Sequence, residues 1–579
     1  MEETKDYAAF YDAQPWAGEW GPGVPKEPEP LPYRNMAELI RRASIDYAGN
    51  TAFTICLDNG MDASLKYHEV DQLSDRFAAY LRRELGLAAG DRVAVQMPNC
   101  LSFPIAAFGI LKAGCVLVNV NPLYTAHEMN HQFKDSGASV LVIIDMFADK
   151  LEEALKGTDI KKVLTVSIAE FFPAAKRTLL KTVLKLKGMV PKTTVTTTPF
   201  AEALALGAKQ LGKGPIADLG NRAPDDTAVL QYTGGTTGVA KGAELMHSNL
   251  LANVAQVITL SGPVMRYGEE TVMTALPLYH IFAFSFNLLG FYVTGNRNIL
   301  IPSPRPVSNL RKAFEKFEIN KFAGVNILFQ GLLNEEWFRN NPPKKLDLTI
   351  SGGTALHSSV AAKWQEVVGS QILEGYGLSE TSPTLSVNPV QGENRIGTIG
   401  VPVPGTIIRI VDENDNPVAP GEVGEIVAKG PQVMRGYWNR PDESAKALKG
   451  GWFHTGDMGY MDERGYIKVV DRKKDMIDVS GFNVYPNEVE DCLSAHEDIM
   501  EVAVIGVPNA TGGETVRAYI VSRNPSLKAE DVIAFARERL TAYKVPKEII
   551  FRDELPKTPV GKILRKDLRQ EALQEANAA

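Results

Sequence analysis

The chain has 579 residues, of which 44% are apolar and 23% charged. Those values are typical of globular proteins and exclude a mainly disordered, collagen-like or coiled-coil chain. With 62 basic against 69 acidic residues the net charge is −7 and the pI near 5.8, which argues against a nucleic-acid binder, normally basic.

The length exceeds one compact unit of roughly 100–200 residues, so at least two domains are expected. The four cysteines, Cys56, Cys100, Cys115 and Cys492, are too few for a disulfide framework and none is spaced CxxC. A reducing cytoplasm is the expected compartment. The N-terminus, MEETKDYAAF, is acidic where a signal peptide is basic, and no apolar h-region follows.

In chain order, the first 35 residues are rich in Pro, Glu and Trp and read as an arm lying on the surface. From Met36 to Lys150, helical patterns (MAELIRRAS, VDQLSDRFAAYLRREL) alternate with short β-rich runs (DRVAVQMPN, SVLVIID). Such alternation predicts an α/β fold with largely parallel strands. From Phe171 to Ala201 there is no Asp or Glu, while Lys176, Arg177, Lys181, Lys185, Lys187 and Lys192 are present. Within it Leu179, Leu180, Val183 and Leu184 fall at helical spacing. This predicts a basic amphipathic helix, read either as a membrane-surface element or as a surface helix packing its leucine face on the domain.

TAVLQYT (227–233) reads as a strand running into a Gly/Thr-rich loop. No Asp, Glu, Lys or Arg occurs from Thr271 to Asn296. A membrane helix needs about 20 mostly apolar residues, and Pro277, His280, Ser285, Asn287 and Gly290 interrupt this run. A buried helix lining an apolar pocket is therefore expected. A domain boundary is expected near DRKKD (471–475), which by composition is a solvated charged turn. The remainder, with a strand EVAVIGV (501–507) and an amphipathic helix around 529–540, suffices for a small α+β domain.

The sharpest local signal is YTGGTTGVAKG, Tyr232 to Gly242. Glycines let backbone N–H groups approach a phosphate, threonine hydroxyls add donors and the lysine adds charge. It is not a Walker A loop, because Ala240 precedes Lys241 and Gly242 follows it. A flexible Gly/Thr turn is the plainer reading, but this density of phosphate-binding types after a strand favours phosphate binding.

The loop resembles the phosphate loop of the adenylate-forming enzymes, the family of acyl-CoA synthetases, luciferases and adenylation domains. The resemblance continues in order through PLYHIF (277–282), SGGTAL (351–356), EGYGLSETSP (374–383), GWFHTGD (451–457), DRKKDMIDVSGFNVYPNEVE (471–490) and PKTPVGKILRK (556–566). Within the family, these motifs and GVNILFQGLLN (324–334) most resemble bacterial long-chain fatty-acid–CoA ligases. The resemblance implies a large α/β N-terminal domain of several subdomains (1–470), a hinge (471–475) and a smaller mobile α+β C-terminal domain (476–579). It implies two half-reactions: a fatty carboxylate and ATP give acyl-adenylate and pyrophosphate, then the CoA thiol displaces AMP.

The same resemblance assigns roles. Lys562 is the catalytic lysine bridging carboxylate and α-phosphate. Glu380 ligates Mg²⁺ with Thr233 on a second side, as a hard cation wants. His280 lies near the acyl carboxylate. Tyr232, Thr233, Gly234, Gly235, Thr236, Thr237, Gly238 and Lys241 form the phosphate loop. Gly353, Glu374 and Gly377 join the nucleotide site, and Tyr376 stacks on adenine. Ser379 stands where a threonine is usual. Asp457 accepts the ribose hydroxyls, and Arg472 contacts ribose or phosphate. Phe284, Val325, Phe329 and Gly481 lie on the acyl and CoA path, Phe284 matching an aromatic gate while an ordinary core Phe reads equally well. Lys474 is the hinge residue, which reverses the composition-only reading of DRKKD.

A long-chain fatty acid, ATP and CoA are the expected partners, with no nucleic acid. A contact of 171–192 with anionic membrane, hence a peripheral place on the inner face, and a homodimer are also admitted. The alternatives are a ligase for a medium-chain or aromatic acid, an enzyme passing acyl-adenylate to a carrier protein, and a non-catalytic binder. Lys562 and Glu380 argue against the last.

Overall fold

The computed structural model describes residues 7–214, 220–233, 240–479, 482–508, 514–558 and 562–578. Two large sheets carry the body of the chain. In the first, Thr51–Cys56, Arg297–Leu300, Thr271–Thr274, Lys321–Gly324, Leu348–Ser351 and Ile372–Gly377 run parallel, with antiparallel strands at both edges. In the second, Thr198–Pro199, Lys162–Val166, Val140–Ile144, Arg92–Gln96, Val116–Asn119 and Thr227–Thr233 run parallel, and Lys241–Met246 turns back antiparallel on Thr227–Thr233. The central strands are mostly buried on both faces, and in the second sheet Val116–Asn119 and Val140–Ile144 read as near-continuous Val/Ile/Leu runs, as parallel strands do.

Helix Ser102–Lys112 has all eleven residues buried and shares one apolar core with both sheets. Its last residue, Lys112, keeps its ammonium satisfied on Asp71 (2.5 Å), Asp75 (3.0 Å) and Ser74 (2.9 Å) of helix Tyr67–Ala79. The uncharged run after Thr271 is a buried strand followed by three short buried helical pieces. Among them, Phe284–Gly290 is a π-helical turn, a wide form that occurs mostly as single turns at functional sites. Among the described residues no helix is long and apolar enough to cross a membrane.

A four-stranded antiparallel sheet (Ile407–Val411, Gly424–Lys429, Phe453–Met461, Ile467–Arg472) completes the large part. The N-terminal arm packs on it, and here the surface-arm expectation needs correction: Tyr11, Trp16 and Trp20 are buried in the core of that sheet. Trp20 Nε1 donates to the Pro402 carbonyl at 2.8 Å and the Tyr11 hydroxyl to that of Val418 at 3.0 Å. The arm has no periodic pattern because its aromatic residues act singly, each filling a recess in a sheet some 400 residues away in sequence.

Beyond Met476 the chain builds cores of its own. Strands Ile499–Pro508, Glu514–Ser522 and Glu548–Phe551 and helices Pro486–Ser494, Ala529–Arg537 and Arg565–Ala578 supply two apolar clusters with no member from the large sheets.

Helix Ala174–Leu186 forms as its spacing predicts, but its leucine face does not pack as a whole. Leu180 is its one buried residue, while Leu179, Val183 and Leu186, at i, i+4 and i+7, are 56%, 36% and 83% exposed.

Candidate active site

The site is built where the carboxyl ends of the first sheet's strands meet the edge of the four-stranded sheet. Parallel α/β sheets place ligands at strand carboxyl ends because the loops there diverge and leave a crevice. Strand Leu348–Ser351 ends in the SGGTAL loop, and Ile372–Gly377 ends in GYG. Two glycines there answer to space and geometry. Gly353 has φ +79°, in the left-handed region. A Cβ on Gly377 would meet the Pro383 carbonyl oxygen at 1.9 Å.

The motifs are stapled to one another by buried hydrogen bonds. Gln231 Nε2 donates to the Tyr279 carbonyl (3.1 Å), tying the phosphate-loop strand to PLYHIF. Ser285 Oγ donates to the Ser382 carbonyl (2.6 Å), tying the π-helical turn to GLSETSP. Glu374 accepts the Leu356 N–H at 3.0 Å, so its carboxylate closes the SGGTAL loop from below. Burial pushes the Glu374 carboxyl up to about 8.

At the far side, Asp457 and Arg472 face each other across the antiparallel pair Phe453–Met461 and Ile467–Arg472. Arg472 Nε lies 3.4 Å from Asp457 Oδ1, and the Tyr376 hydroxyl donates to Asp457 Oδ2 at 2.5 Å. Tyr376, Asp457 and Arg472 therefore form one connected group. Lys562 joins it from the C-terminal part. Half-buried, it stands within electrostatic reach of Arg472, Asp457 and His280. Burial first, then the positive charges of Arg472 and Arg565, push its ammonium down to about 8 against the pull of Asp457 and Asp475. Burial and the Lys562 charge push His280 down to about 4, so its imidazole is neutral at physiological pH. His280 Nδ1 accepts the Phe282 N–H at 3.3 Å, which leaves Nε2 as the protonated nitrogen.

Glu380 is buried in the short turn Ser379–Thr381, where Ser379 also sits. The Tyr437 hydroxyl donates to Glu380 Oε1 at 2.8 Å, and burial raises the carboxyl above its ordinary range. Lys241 lies over the Tyr437 ring, 4.6 Å from its centre, and pairs with Glu443. Thr233 is the last residue of its strand, half-buried beside Lys241 in the ladder. The Tyr232 ring faces the core instead: it packs at Gly242, and its hydroxyl donates to Asp135 at 2.7 Å. Gly234, Gly235, Thr236, Thr237, Gly238 and Gly481 lie outside the described residues.

Phe284 is fully buried and opens the π-helical turn. Val325 precedes helix Asn326–Asn334, and Phe329 on that helix packs edge-on against Trp364 (5.0 Å) and Phe322 (5.5 Å). Lys474 is exposed in the turn after Arg472.

Sequence reasoning missed Tyr437, Asp471, Asn487, Glu490 and Arg565. Arg565 lay within a noted motif but carried no assignment, and its partners are 75 to 94 residues away. Its only signal is a basic residue three positions after Lys562. Among the described residues no group of three His, Cys, Asp or Glu side chains is arranged to hold a metal ion.

Residues 41–438 match the family described as AMP-binding enzyme, and residues 488–562 match the AMP-binding enzyme C-terminal domain. The chain is 46% identical over 559 residues to a long-chain-fatty-acid–CoA ligase of Salmonella typhimurium, covering 96% of this chain and 98% of that one. It is 42% identical to the corresponding ligase of Haemophilus influenzae, with the same coverage. The crystal structure of an anthranilate CoA ligase in complex with anthranoyl-AMP superposes with a TM-score of 0.82 over 94% of this chain and 99% of that one; at 24% identity this is a likeness of fold. The matched residues include the Gly/Thr-rich loop sequence as well as the strand-end motifs and the lysine-bearing tail that the geometry brings together, and the chain belongs to the AMP-binding enzyme family.

Proposed function

We infer that the protein is an ATP-dependent long-chain fatty-acid–CoA ligase working through an acyl-adenylate. The observation that carries this reading is the convergence of Lys562 with Asp457, Arg472 and His280 at the strand ends, a cationic group facing a ribose-type carboxylate. In the first half-reaction a fatty carboxylate oxygen bonds to the α-phosphorus of ATP while the bond to the β-phosphate oxygen breaks, releasing pyrophosphate. Both reactants are anions, so Lys562 and Arg472 supply charge matched to the transition state. Asp457, already a hydrogen-bond acceptor for Tyr376, suits two ribose hydroxyls. Neutral His280 offers Nε2–H as a donor near the acyl carboxylate. In the second half-reaction the CoA sulfur bonds to the acyl carbon, AMP leaves, and the thiol proton passes to solvent.

The residues fit a divalent cation. Glu380 is a buried carboxylate whose pKa burial raises against the pull of the Tyr437 hydroxyl, Lys241 and Arg472, and Thr233 ends the adjoining strand. Mg²⁺ is typically held by one or two carboxylates with the rest of its shell from phosphates and water. Bound there, it would neutralise phosphate charge. The domain division is proposed as 1–470, 471–475 and 476–579, with Lys474 at the pivot; the separate apolar clusters after Met476 support it.

The exposed row Leu179, Val183 and Leu186, with Lys185 and Lys187 nearby, supports peripheral docking of 171–192 on an anionic membrane face. That is a natural source of long-chain acids.

The test is AMP release on adding palmitate, Mg²⁺, ATP and CoA, repeated across chain lengths and aromatic acids. Palmitate-dependent AMP and palmitoyl-CoA are expected. Release only with short or aromatic acids, or no thioester, overturns the reading.

A further inference from the structure

Strand Ile467–Arg472 belongs to the large part of the molecule, since Asp471 pairs in register with Met458. Asp471 is fully buried, yet its bonding partners come mostly from beyond the 473–475 turn. The Asn487 N–H donates to Asp471 Oδ2 at 2.8 Å, so the carboxylate caps the first turn of helix Pro486–Ser494. The Asn487 side chain donates to the Val470 carbonyl at 3.2 Å. Arg565 Nη1 lies 3.5 Å from Asp471 Oδ1. The rest of that guanidinium is held by Glu490 (2.6 and 3.1 Å) and Asn487 Oδ1 (2.5 Å). Arg565 opens the terminal helix three residues after Lys562.

We propose that Asp471 is a positioning residue for the adenylation half-reaction, latching the C-terminal domain in the pose that presents Lys562 to the nucleotide site. Only some of the bonds around Asp471 cross the pivot. If the chain turns within 473–475, Asp475 travels with its partners Arg569 (2.8 Å) and Arg565 (3.7 Å), and Glu490 travels with Arg565. The bonds of Asp471 to Asn487 and Arg565, and of Val470 to Asn487, must instead break. A buried carboxylate that keeps only the Arg472 N–H (2.7 Å) of these donors and loses those of Asn487 and Arg565 is destabilised, so this pose holds until water reaches Asp471. Burial raises the Asp471 carboxyl, and the Arg565 charge and the Asn487 N–H oppose that rise. The latch deepens the two-step reading above and rests on it.

The experiment measures the halves separately: palmitate-dependent ATP–pyrophosphate exchange, and conversion of supplied palmitoyl-adenylate with CoA. Asp471→Asn keeps an acceptor for the Asn487 amide but removes the charge facing Arg565. Exchange is expected to fall about 10- to 100-fold, the scale of a hydrogen bond to a charged group, while the thioester half stays near the wild-type rate. Arg565→Lys, which keeps the cation, should retain intermediate exchange. Asn487→Ala should shift the ratio in the same direction, and it carries the test if Asp471→Asn does not fold. An equal loss in both halves, or an unchanged ratio, overturns the latch. A wild-type protein without palmitate-dependent exchange overturns the ligase reading instead.

Discussion

Lys562 gives the adenylation step a pH dependence with a definite sign. Its ammonium is the working form, and the site holds its pKa down at about 8, below the ordinary lysine range, chiefly through burial and then through Arg472. The charged fraction is therefore full at lower pH and is lost as pH rises through that value. Each pH unit above a pKa removes about tenfold of the protonated form. For ATP–pyrophosphate exchange, kcat/KM, which reports the free enzyme, should fall about tenfold per pH unit above about pH 8. ATP and a carboxylate bring anions beside the ammonium and raise its pKa, so the fall in kcat should begin at higher pH. Lys562→Arg, with a guanidinium charged to about pH 12 or beyond, should lower the plateau and abolish the alkaline limb. Lys562→Ala should cost on the order of 100- to 1,000-fold in exchange and spare supplied acyl-adenylate. Glu374, pushed up to about 8 by burial, titrates in the same window. Glu374→Gln locks its neutral form and should leave the limb in place. A flat kcat/KM profile across the alkaline range, or a limb that disappears in Glu374→Gln, refutes the assignment to Lys562.

Other outcomes follow from the same geometry. Gly377→Ala places a Cβ 1.9 Å from the Pro383 backbone oxygen. Backbone must shift, so the melting temperature should drop by the equivalent of about 1–3 kcal/mol; an unchanged Tm would mean the loop relaxes freely. Binding of Mg²⁺ with ATP should release protons from Glu380, whose pKa is raised by burial, increasingly as pH falls; the same release in Glu380→Gln would place the proton elsewhere. Leu179→Ser with Leu186→Ser, and separately glutamates at Lys181, Lys185 and Lys187, should weaken sedimentation with anionic vesicles, each charge contributing about 1 kcal/mol near such a surface. Vesicle binding that both sets leave intact would make the helix structural.

Much of the fold is legible from local pattern. TAVLQYT is the strand Thr227–Thr233, and the uncharged run after Thr271 is buried. The runs DRVAVQMPN and SVLVIID contain Arg92–Gln96 and Val140–Ile144, neighbours in one parallel sheet. These elements are legible because each is a short apolar run bounded by turn residues, the mark of a strand or helical piece buried on all sides. What stayed hidden is what depends on distant partners. The arm's aromatic residues give no period because the recesses they fill are set by another sheet. In helix Ala174–Leu186 the spacing of Leu179, Leu180, Val183 and Leu184 is equally consistent with a packed or an open face, and the fold buries Leu180 alone. For the site, motif order points to Lys562, Asp457, Arg472 and Tyr376 as a set. The support beneath them does not show in local sequence. Tyr437 reaches Glu380 across 57 residues and Arg565 reaches Asp471 across 94.

Those supports explain a pattern in the site's electrostatics. Burial drives Glu374 and Glu380 toward their protonated forms and Lys562 and His280 toward their unprotonated ones. Each group is thus biased toward neutrality while the site is closed around protein alone, because desolvation penalises whichever form is charged. A site of this kind gains most from ligands that restore the missing countercharges together. A polyphosphate and a carboxylate favour the ammonium of Lys562, and a divalent cation favours the carboxylate of Glu380. Arg472 and Asp457 pair with each other across the strand pair. The C-terminal lysine can therefore be inserted into a buried site and withdrawn from it at modest cost. Burial weakens its charge rather than removing it, and the substrates for adenylation restore it in full. A permanently charged guanidinium at the same position would carry its full desolvation cost through every such movement.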